Sequence, residues 1–144
     1  MSYYADSSFL VSCYLLDANT ARAKSYLGSL GAPLVFSALQ ALEVRNAFEL
    51  GVFRGLFPAA DAAAARVNLE QDLRSGRLVK TSVNWPLAFR VASSLSKRHS
   101  ATTGTRSMDI LHVAAAKSLR ASEFISFDGR QRALATALGL KVAP

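Results

Sequence analysis

The stretch "SMDILHVAAAKSLRASEFISFD", Ser107 to Asp128, joins a helical pattern directly to a short strand pattern. Apolar residues and alanines dominate its first half, which predicts a helix that begins near Ser107. The four residues "EFIS" then favour a strand, because phenylalanine and isoleucine prefer extended structure. Asp109 lies in the first turn of the predicted helix, and Asp128 follows the strand with one residue between them. The stretch therefore predicts a helix–strand unit with an acid near each end.

The same alternation of patterns runs through the rest of the chain. Candidate strands are "SYYA", "PLVF", "LVKT", "EFIS" and "LKV". Candidate helices span roughly 8–16, 20–30, 38–54, 58–76, 84–99, 107–120 and 129–138. Because parallel strands need crossover connections, this order predicts an α/β fold with a parallel sheet and helices on both faces. No repeat, linker or shift in composition divides the chain, so we expect one domain over residues 1–144.

Length and composition limit the class of protein. Of the 144 residues, 51% are hydrophobic and 19% are charged, which suits a globular chain with its own core. No apolar run reaches the ~20 residues of a membrane helix, so we expect a soluble, cytoplasmic protein with no membrane partner. Cys13 is the single cysteine. It excludes an internal disulfide and is predicted to be a small buried residue.

The chain is strongly basic. Its 17 Lys and Arg residues against 10 Asp and Glu residues give a net charge of +7. This charge favours a polyanionic partner, nucleic acid first and an acidic membrane surface second. Basic residues concentrate at positions 97–99, which lead into the polar loop "SATTGTR", and at Arg130 and Arg132. A solvated surface explains these groups equally well.

Four of the ten acids fall in apolar sequence near one edge of the predicted sheet. Asp6 follows "SYYA" directly, Asp109 and Asp128 flank the helix–strand unit, and Glu43 lies in the helix after "PLVF". In open α/β sheets, ligands bind at the carboxyl ends of the strands. Taken singly, Asp6 and Asp128 are also explained as helix N-caps, and Asp109 as an acid that answers the helix dipole.

Glu43 is too deep in its helix to be a cap. At 3.6 residues per turn it lies on a stripe that we predict to be the buried face, formed by Leu39, Leu42, Asn46, Leu50 and Phe53. If the four acids converge, their repulsion destabilises the fold unless a cation lies among them. Oxygen ligands without cysteine or paired histidine suit Mg²⁺ or Mn²⁺, which hydrolyse phosphoesters through an activated water.

Three segments together resemble the PIN-domain ribonucleases, and most closely the VapC-type toxins of toxin–antitoxin pairs. They are "YADSSFLVSCYL", "FSALQALEVRNAF" and "SMDILHVAAAKSLRASEFISFDGRQRALATALGLKV". The ordered acids, with "DILHVAAA" and "SFD", are the specific part of the resemblance, and residues 58–100 are the least diagnostic part. The resemblance implies a three-layer α/β/α sandwich with a short-stranded, mainly parallel sheet. It also implies a Mg²⁺- or Mn²⁺-dependent endoribonuclease that cleaves RNA, usually as a homodimer.

Carried over by motif, the catalytic and metal-binding acids are Asp6, Glu43, Asp109 and Asp128. Ser126, two residues before Asp128, matches a position where the family tends to have a hydroxyl, and Ser7 or Ser8 matches the polar residue after the first acid. These serines are expected to orient carboxylates and water. Candidate RNA contacts are Arg106, Arg130 and Arg132, because guanidinium binds phosphate through two hydrogen bonds.

Two aromatic residues near these motifs have structural explanations. His112 lies one turn after Asp109, and we expect a core histidine rather than a ligand. Trp85 precedes Pro86, and we expect it to pack at the start of a helix rather than to stack on a base.

The resemblance also implies a small DNA-binding antitoxin that lies along the helices near the active site. The predicted helices 38–54 and 58–76 carry more large apolar groups than one buried stripe requires, which are Val44, Phe48, Val52, Phe53, Leu56, Phe57, Val67 and Leu69. They fit either an antitoxin groove or a core with a homodimer interface. Two alternatives to the toxin stay open, a non-toxin PIN nuclease that processes RNA or DNA and a catalytically silent nucleic-acid-binding domain.

Overall fold

The computed structural model describes residues 2–144 as five three-residue strands and seven helices. The strands are β1 (Tyr3–Ala5), β2 (Leu34–Phe36), β3 (Leu78–Lys80), β4 (Glu123–Ile125) and β5 (Lys141–Ala143). The helices are α1 (Ser7–Tyr14), α2 (Thr20–Ser29), α3 (Ala38–Phe53), α4 (Ala59–Arg74), α5 (Trp85–Thr103), α6 (Ser107–Ser118) and α7 (Gly129–Ala137). All five predicted strands and all seven predicted helices are confirmed, with ends that differ by a few residues.

The described chain forms two compact units. The first contains residues 2–6 and 82–144, and the second contains residues 7–81. In the first unit β4 pairs in parallel with both β1 and β5, with Ala5 opposite Ile125 and Ile125 opposite Ala143. In the second unit β2 and β3 are parallel. The parallel α/β organisation is therefore confirmed, whereas the single domain over residues 1–144 stays a prediction.

Helix α6 forms the centre of the first unit. Seven consecutive residues, 110–116, are buried, and the three-residue strand β4 beside it in sequence is buried throughout. A helix that is apolar all round must be enclosed by other elements, and α6 packs against both α5 and α7. His112 is part of this core, because it is 2% exposed and its Nδ1 lies 3.0 Å from the hydroxyl of Tyr4. The predicted core role of His112 is confirmed.

In the second unit, α3 buries a different face from the predicted one. Its buried residues are Gln40, Val44, Phe48 and Gly51. The predicted stripe is wrong, because Leu42 is 68% exposed and Phe53 is 87% exposed. Both faces carry large apolar groups, so the hydrophobic period did not distinguish them, and packing against α1 and α4 selects the Val44–Phe48 face.

Two helix ends show how local sequence sets the boundaries. Helix α3 begins with a capping box, in which the Ser37 hydroxyl accepts a hydrogen bond from Gln40 N–H and the Gln40 side chain accepts one from Ser37 N–H. Helix α5 runs to Thr103, so the predicted loop "SATTGTR" is wrong in its first four residues. The helix continues until Gly104, whose positive φ of 64° gives the left-handed C-cap.

Trp85 is the first residue of α5, which the Asn84 side chain caps, as the predicted helix-start position requires. No helix among residues 2–144 is long and apolar enough to cross a membrane.

Candidate active site

The parallel register of β1 and β4 brings Asp6 and Ser126 side by side. Each follows its strand directly, and Asp6 N–H donates to the carbonyl of Ile125 at 2.9 Å. The Ser126 hydroxyl donates to Asp6 Oδ2 at 2.7 Å. Both side chains are essentially inaccessible to water, with Asp6 at 1% exposure and Ser126 at 0%. The buried carboxylate of Asp6 is therefore oriented by a hydroxyl from the neighbouring strand.

Asp109 and Asp6, far apart in sequence, are joined by one amide group. The Gln131 Nε2 donates to Asp6 Oδ2 at 3.1 Å and to Asp109 Oδ1 at 3.0 Å. The two carboxylate oxygens are consequently no further apart than these two hydrogen bonds laid end to end. Helix α7 supplies the amide and helix α6 supplies Asp109, in its first turn. The structure thus brings two of the four predicted acids together.

Asp128 is the N-cap of α7. Its Oδ1 accepts hydrogen bonds from the backbone N–H groups of Arg130 and Gln131, at 2.8 and 3.0 Å. Its own N–H donates to the Ser126 hydroxyl at 3.0 Å. Ser126 therefore links the Asp6 carboxylate to the start of α7. The carboxylate of Asp128 has the capping role that its position between strand and helix also allowed, and a metal-binding role stays a prediction.

Glu43 belongs to the second unit. It is half-buried on α3, where its Oε1 accepts a hydrogen bond from the hydroxyl of Ser7 at 2.9 Å. Ser7 is buried at the start of α1, whereas Ser8 is exposed. The predicted partnership between an acid and a serine after the first motif is thus present for Ser7 and Glu43.

The three predicted RNA-binding arginines differ in their surroundings. Arg106 is 78% exposed and its Nε lies 3.4 Å from Asp109 Oδ2. Arg130 is also exposed. Arg132 is half-buried, and its Nη1 donates to the carbonyls of Ser126 and Pro144 at 2.8 and 3.0 Å. Arg132 therefore holds the end of the chain against the residue that orients Asp6, and its contact with RNA stays a prediction.

The donor atoms of Asp6 and Asp109 fit a hard divalent cation. Both side chains offer carboxylate oxygens, and the two carboxylates converge on the same amide nitrogen of Gln131. Groups that converge on an N–H donor in this way also favour a positive charge. Among residues 2–144, no group of three or more His, Cys, Asp and Glu side chains is arranged to hold a metal. Mg²⁺ is commonly bound by one or two carboxylates together with water and substrate phosphate. A pair of acids is therefore sufficient on the protein side.

Gln131 is the residue of this site that the sequence-based prediction missed. It follows the N-cap Asp128 by three residues, a spacing typical of a capping box, and that pattern indicates a local structural role. Its Oε1 is buried and has no hydrogen-bond partner among residues 2–144. The spacing marks the residue, but no local pattern predicts contact with Asp6 and Asp109.

A second polar cluster lies in the second unit. A cavity of about 460 Å³ is lined by residues of α1, α2 and α4, together with Ser75 and Arg77. There the Tyr14 hydroxyl donates to Asp72 Oδ2 at 2.8 Å, and Arg77 Nη1 lies 3.4 Å from Asp72 Oδ1. Burial, with the Asp72 hydrogen bond, raises the pKa of Tyr14. Burial also raises the pKa of the Cys13 thiol to about 12. The prediction that Cys13 is a small buried residue is confirmed.

The chain thus combines a short-stranded parallel α/β fold with two carboxylates, Asp6 after β1 and Asp109 in the first turn of α6, that accept hydrogen bonds from one amide. The PIN domain family model matches residues 3–137, and the chain belongs to this family. The resemblance read from the sequence is confirmed at the level of the family. No curated protein sequence matches the chain.

Solved structures with the same fold cover nearly the whole chain. FitAcB from Neisseria gonorrhoeae matches with a TM-score of 0.68 and 18% identity, over 99% of this chain and 96% of that one. VapC20 from Mycobacterium tuberculosis, described as a Sarcin-Ricin loop cleaving toxin, matches with a TM-score of 0.66 and 22% identity, over 96% and 95%. VapBC2 from Rickettsia felis, bound to a DNA fragment from its promoter, matches with a TM-score of 0.64 and 11% identity, over 99% and 97%. The predicted fold class, a three-layer α/β/α sandwich with a mainly parallel sheet, is confirmed.

Proposed function

We propose that this protein is a Mg²⁺- or Mn²⁺-dependent endoribonuclease and the toxin of a VapBC-type toxin–antitoxin pair. The observation that carries the proposal is the pairing of Asp6 and Asp109 through one amide group, because both carboxylates approach the same amide nitrogen. Membership of the PIN domain family supports a nuclease, and the similarity to VapC20, described as a toxin, supports the toxin assignment. The cytoplasm, where RNA is abundant, is the proposed location.

The proposed metal-binding acids are Asp6 and Asp109. Glu43 and Asp128 are the two further acids proposed as metal ligands. A bound Mg²⁺ or Mn²⁺ would supply an activated water and neutralise charge on the scissile phosphate. Ser126 keeps the Asp6 carboxylate in one orientation through its 2.7 Å hydrogen bond, and Ser7 does the same for Glu43. Oriented ligands lose less conformational freedom when the substrate binds, which lowers the barrier to phosphodiester hydrolysis.

The basic surface is proposed to bind the RNA backbone. The net charge of +7 favours a polyanion in general. Arg106 adds a specific contribution, because it already lies beside Asp109 and is 78% exposed, so it can contact a phosphate without burying an unpaired charge. Arg130, exposed in the first turn of α7, is the second proposed phosphate contact.

The proposed protein partners are a small DNA-binding antitoxin and a second copy of this chain. VapBC2 from Rickettsia felis is a complex bound to promoter DNA, and this relative supports the antitoxin. Of the predicted apolar residues, Val44, Phe48 and Leu69 are fully buried in the second unit, so they belong to the core, the second of the two explanations, and do not line an antitoxin groove. Phe53, Leu56 and Val67 are 61–87% exposed and are the proposed docking residues. Coexpression with a small gene beside this one tests the pairing, since an antitoxin must abolish growth inhibition.

The nuclease proposal is tested by inducing the wild-type protein and Asp109→Asn in cells and sequencing the RNA ends. Asn keeps the shape of Asp109 but removes the negative charge that a cation needs, so cleavage should fall by at least ~100-fold. Asp61→Asn, at an exposed position in α4, is the matched control and should cleave normally. New RNA ends of equal abundance with Asp109→Asn and the wild type would refute the proposal.

A further inference from the structure

The side chain of Gln131 is diverted from the hydrogen bond that its position in the helix favours. In α3, Gln40 stands three residues after the N-cap Ser37, and its Oε1 accepts the N-cap N–H at 2.7 Å. Gln131 stands three residues after the N-cap Asp128 in α7, so it has the same opportunity. Instead the Asp128 N–H donates to the Ser126 hydroxyl. One half of the capping box is therefore absent from α7.

The diverted amide is used between the two acids. Its Nε2 donates to Asp6 Oδ2 and to Asp109 Oδ1. Its Oε1 is left buried without a hydrogen-bond partner among residues 2–144. Rotating the amide by 180° would place Oε1 against two carboxylate oxygens, and these groups repel. The observed orientation, in which Oε1 is unpaired, is therefore the more favourable one. The carboxylates thus determine the orientation of the amide, at a cost in buried hydrogen bonding.

We propose that Gln131 is a positioning residue whose carboxamide holds the Asp6 and Asp109 carboxylates at the spacing that a divalent cation requires. Two negative groups so close together repel, and the amide N–H groups reduce this repulsion when no cation is bound. Each acid contacts Gln131 through one oxygen, so the other oxygen of each carboxylate lies outside this contact. Gln131 is 4% exposed and lies on a helix rather than a loop, which keeps the geometry constant.

The first test measures thermal unfolding in EDTA, where no metal contributes. Gln131→Met keeps the volume and helix propensity of the side chain but removes the donor, and should lower Tm by about 5 °C or more. The same substitution in an Asp6→Asn, Asp109→Asn background should lower Tm by less than half as much, because the neutral amides do not repel. An equal loss in both backgrounds would show that Gln131 only fills the core and would overturn the proposal. If Gln131→Met does not fold, Gln131→Asn, one methylene too short to reach both acids, replaces it.

The second test measures Mn²⁺ affinity by electron paramagnetic resonance, and it rests on the proposed function. Gln131→Met should weaken Mn²⁺ binding about tenfold, because the Asp6 and Asp109 carboxylates that bind the cation are no longer held in position. Gln131→Glu should bind Mn²⁺ more tightly than Gln131→Met, because a third carboxylate then faces the cation. Unchanged affinity in Gln131→Met would overturn the positioning role. If the wild-type protein binds no Mn²⁺, the metal proposal fails, while the unfolding test in EDTA still decides whether Gln131 holds the two acids.

Discussion

At the scale of single residues, burial determines what each polar group can do. Asp6 is 1% exposed and keeps its place because Ser126 and Gln131 both donate to its carboxylate. A buried polar group without such donors destabilises the folded state. The uncharged hydroxyl of Ser126 therefore stabilises the fold by donating to the buried carboxylate. Cys13 differs from Asp6, because burial keeps its thiol protonated and uncharged.

The raised pKa of Cys13 predicts a loss of stability in alkali. The unfolded thiol ionises near its ordinary pKa of 9.0, whereas the folded thiol keeps its proton until about pH 12. Between these values the folded state binds more protons, so stability is fully present below pH 9 and falls as pH rises toward 12. Urea unfolding at about pH 8 and pH 10.5 should show that the wild-type protein loses about 1–2 kcal/mol more than Cys13→Ala. Equal losses in the two proteins would contradict the buried, protonated thiol.

At the scale of secondary structure elements, helix ends position the candidate site. The hydrogen bonds of Asp128 start α7 at Gly129, and this start places Gln131 beside the two acids. Helix α5 ends at Thr103 with Gly104 as its C-cap, and the short turn that follows leads into Arg106 and the start of α6. The placement of Asp109 therefore depends on where α5 stops as well as on α6 itself.

Gly104→Ala should destabilise the protein by about 1 kcal/mol, because a Cβ disfavours the left-handed backbone. Space is not the reason, since the added Cβ would meet Arg130 Nε at an ordinary 3.9 Å. Gly28→Ala is the matched control. Gly28 lies within α2 with nothing within 4 Å of an added Cβ, so alanine should stabilise the protein by about 0.5 kcal/mol. Chemical denaturation measures both changes, and the same sign for both would contradict the assigned C-cap.

At the scale of the whole molecule, net charge and the location of individual cations have separate effects. The charge of +7 attracts any polyanion, whereas specific contacts depend on which guanidinium groups are accessible. Arg130 is exposed, and Arg132 is occupied by the carbonyls of Ser126 and Pro144. These neighbouring arginines form a natural pair for comparison.

Arg130→Ala should weaken RNA binding and reduce the salt slope of log K by about 1, because one phosphate contact is lost. Its Tm should stay close to that of the wild type. Arg132→Ala should instead lower stability by about 1–2 kcal/mol, since two charge-assisted hydrogen bonds are lost. Binding measured at several salt concentrations, with thermal unfolding of each variant, separates the two effects. A salt slope for Arg130→Ala equal to that of the wild type would exclude this residue from the RNA contact.

Residue patterns by themselves determined the order of elements and the ends of the strands where acids collect. Short strand patterns alternating with helical ones predicted all five strands and all seven helices, because local propensity and hydrophobic period act within a few residues. They also predicted that Asp6 follows β1 and that Asp128 lies just beyond β4, whereas Ser126, predicted as the last strand residue, lies outside β4. The family was readable from the same motifs.

Tertiary structure alone decided which side chains meet. The buried face of α3 was predicted wrongly because Leu42 and Phe48 are equally apolar, and only the packing partners distinguish them. The spacing between Asp128 and Gln131 is typical of a capping box, but the Gln131 amide instead donates to Asp6 and Asp109, which belong to other elements. Arg132 looked like a free surface cation but is bound to the end of the chain. Propensity and period depend on near neighbours in sequence, whereas these contacts join residues far apart, so only the folded chain determines them.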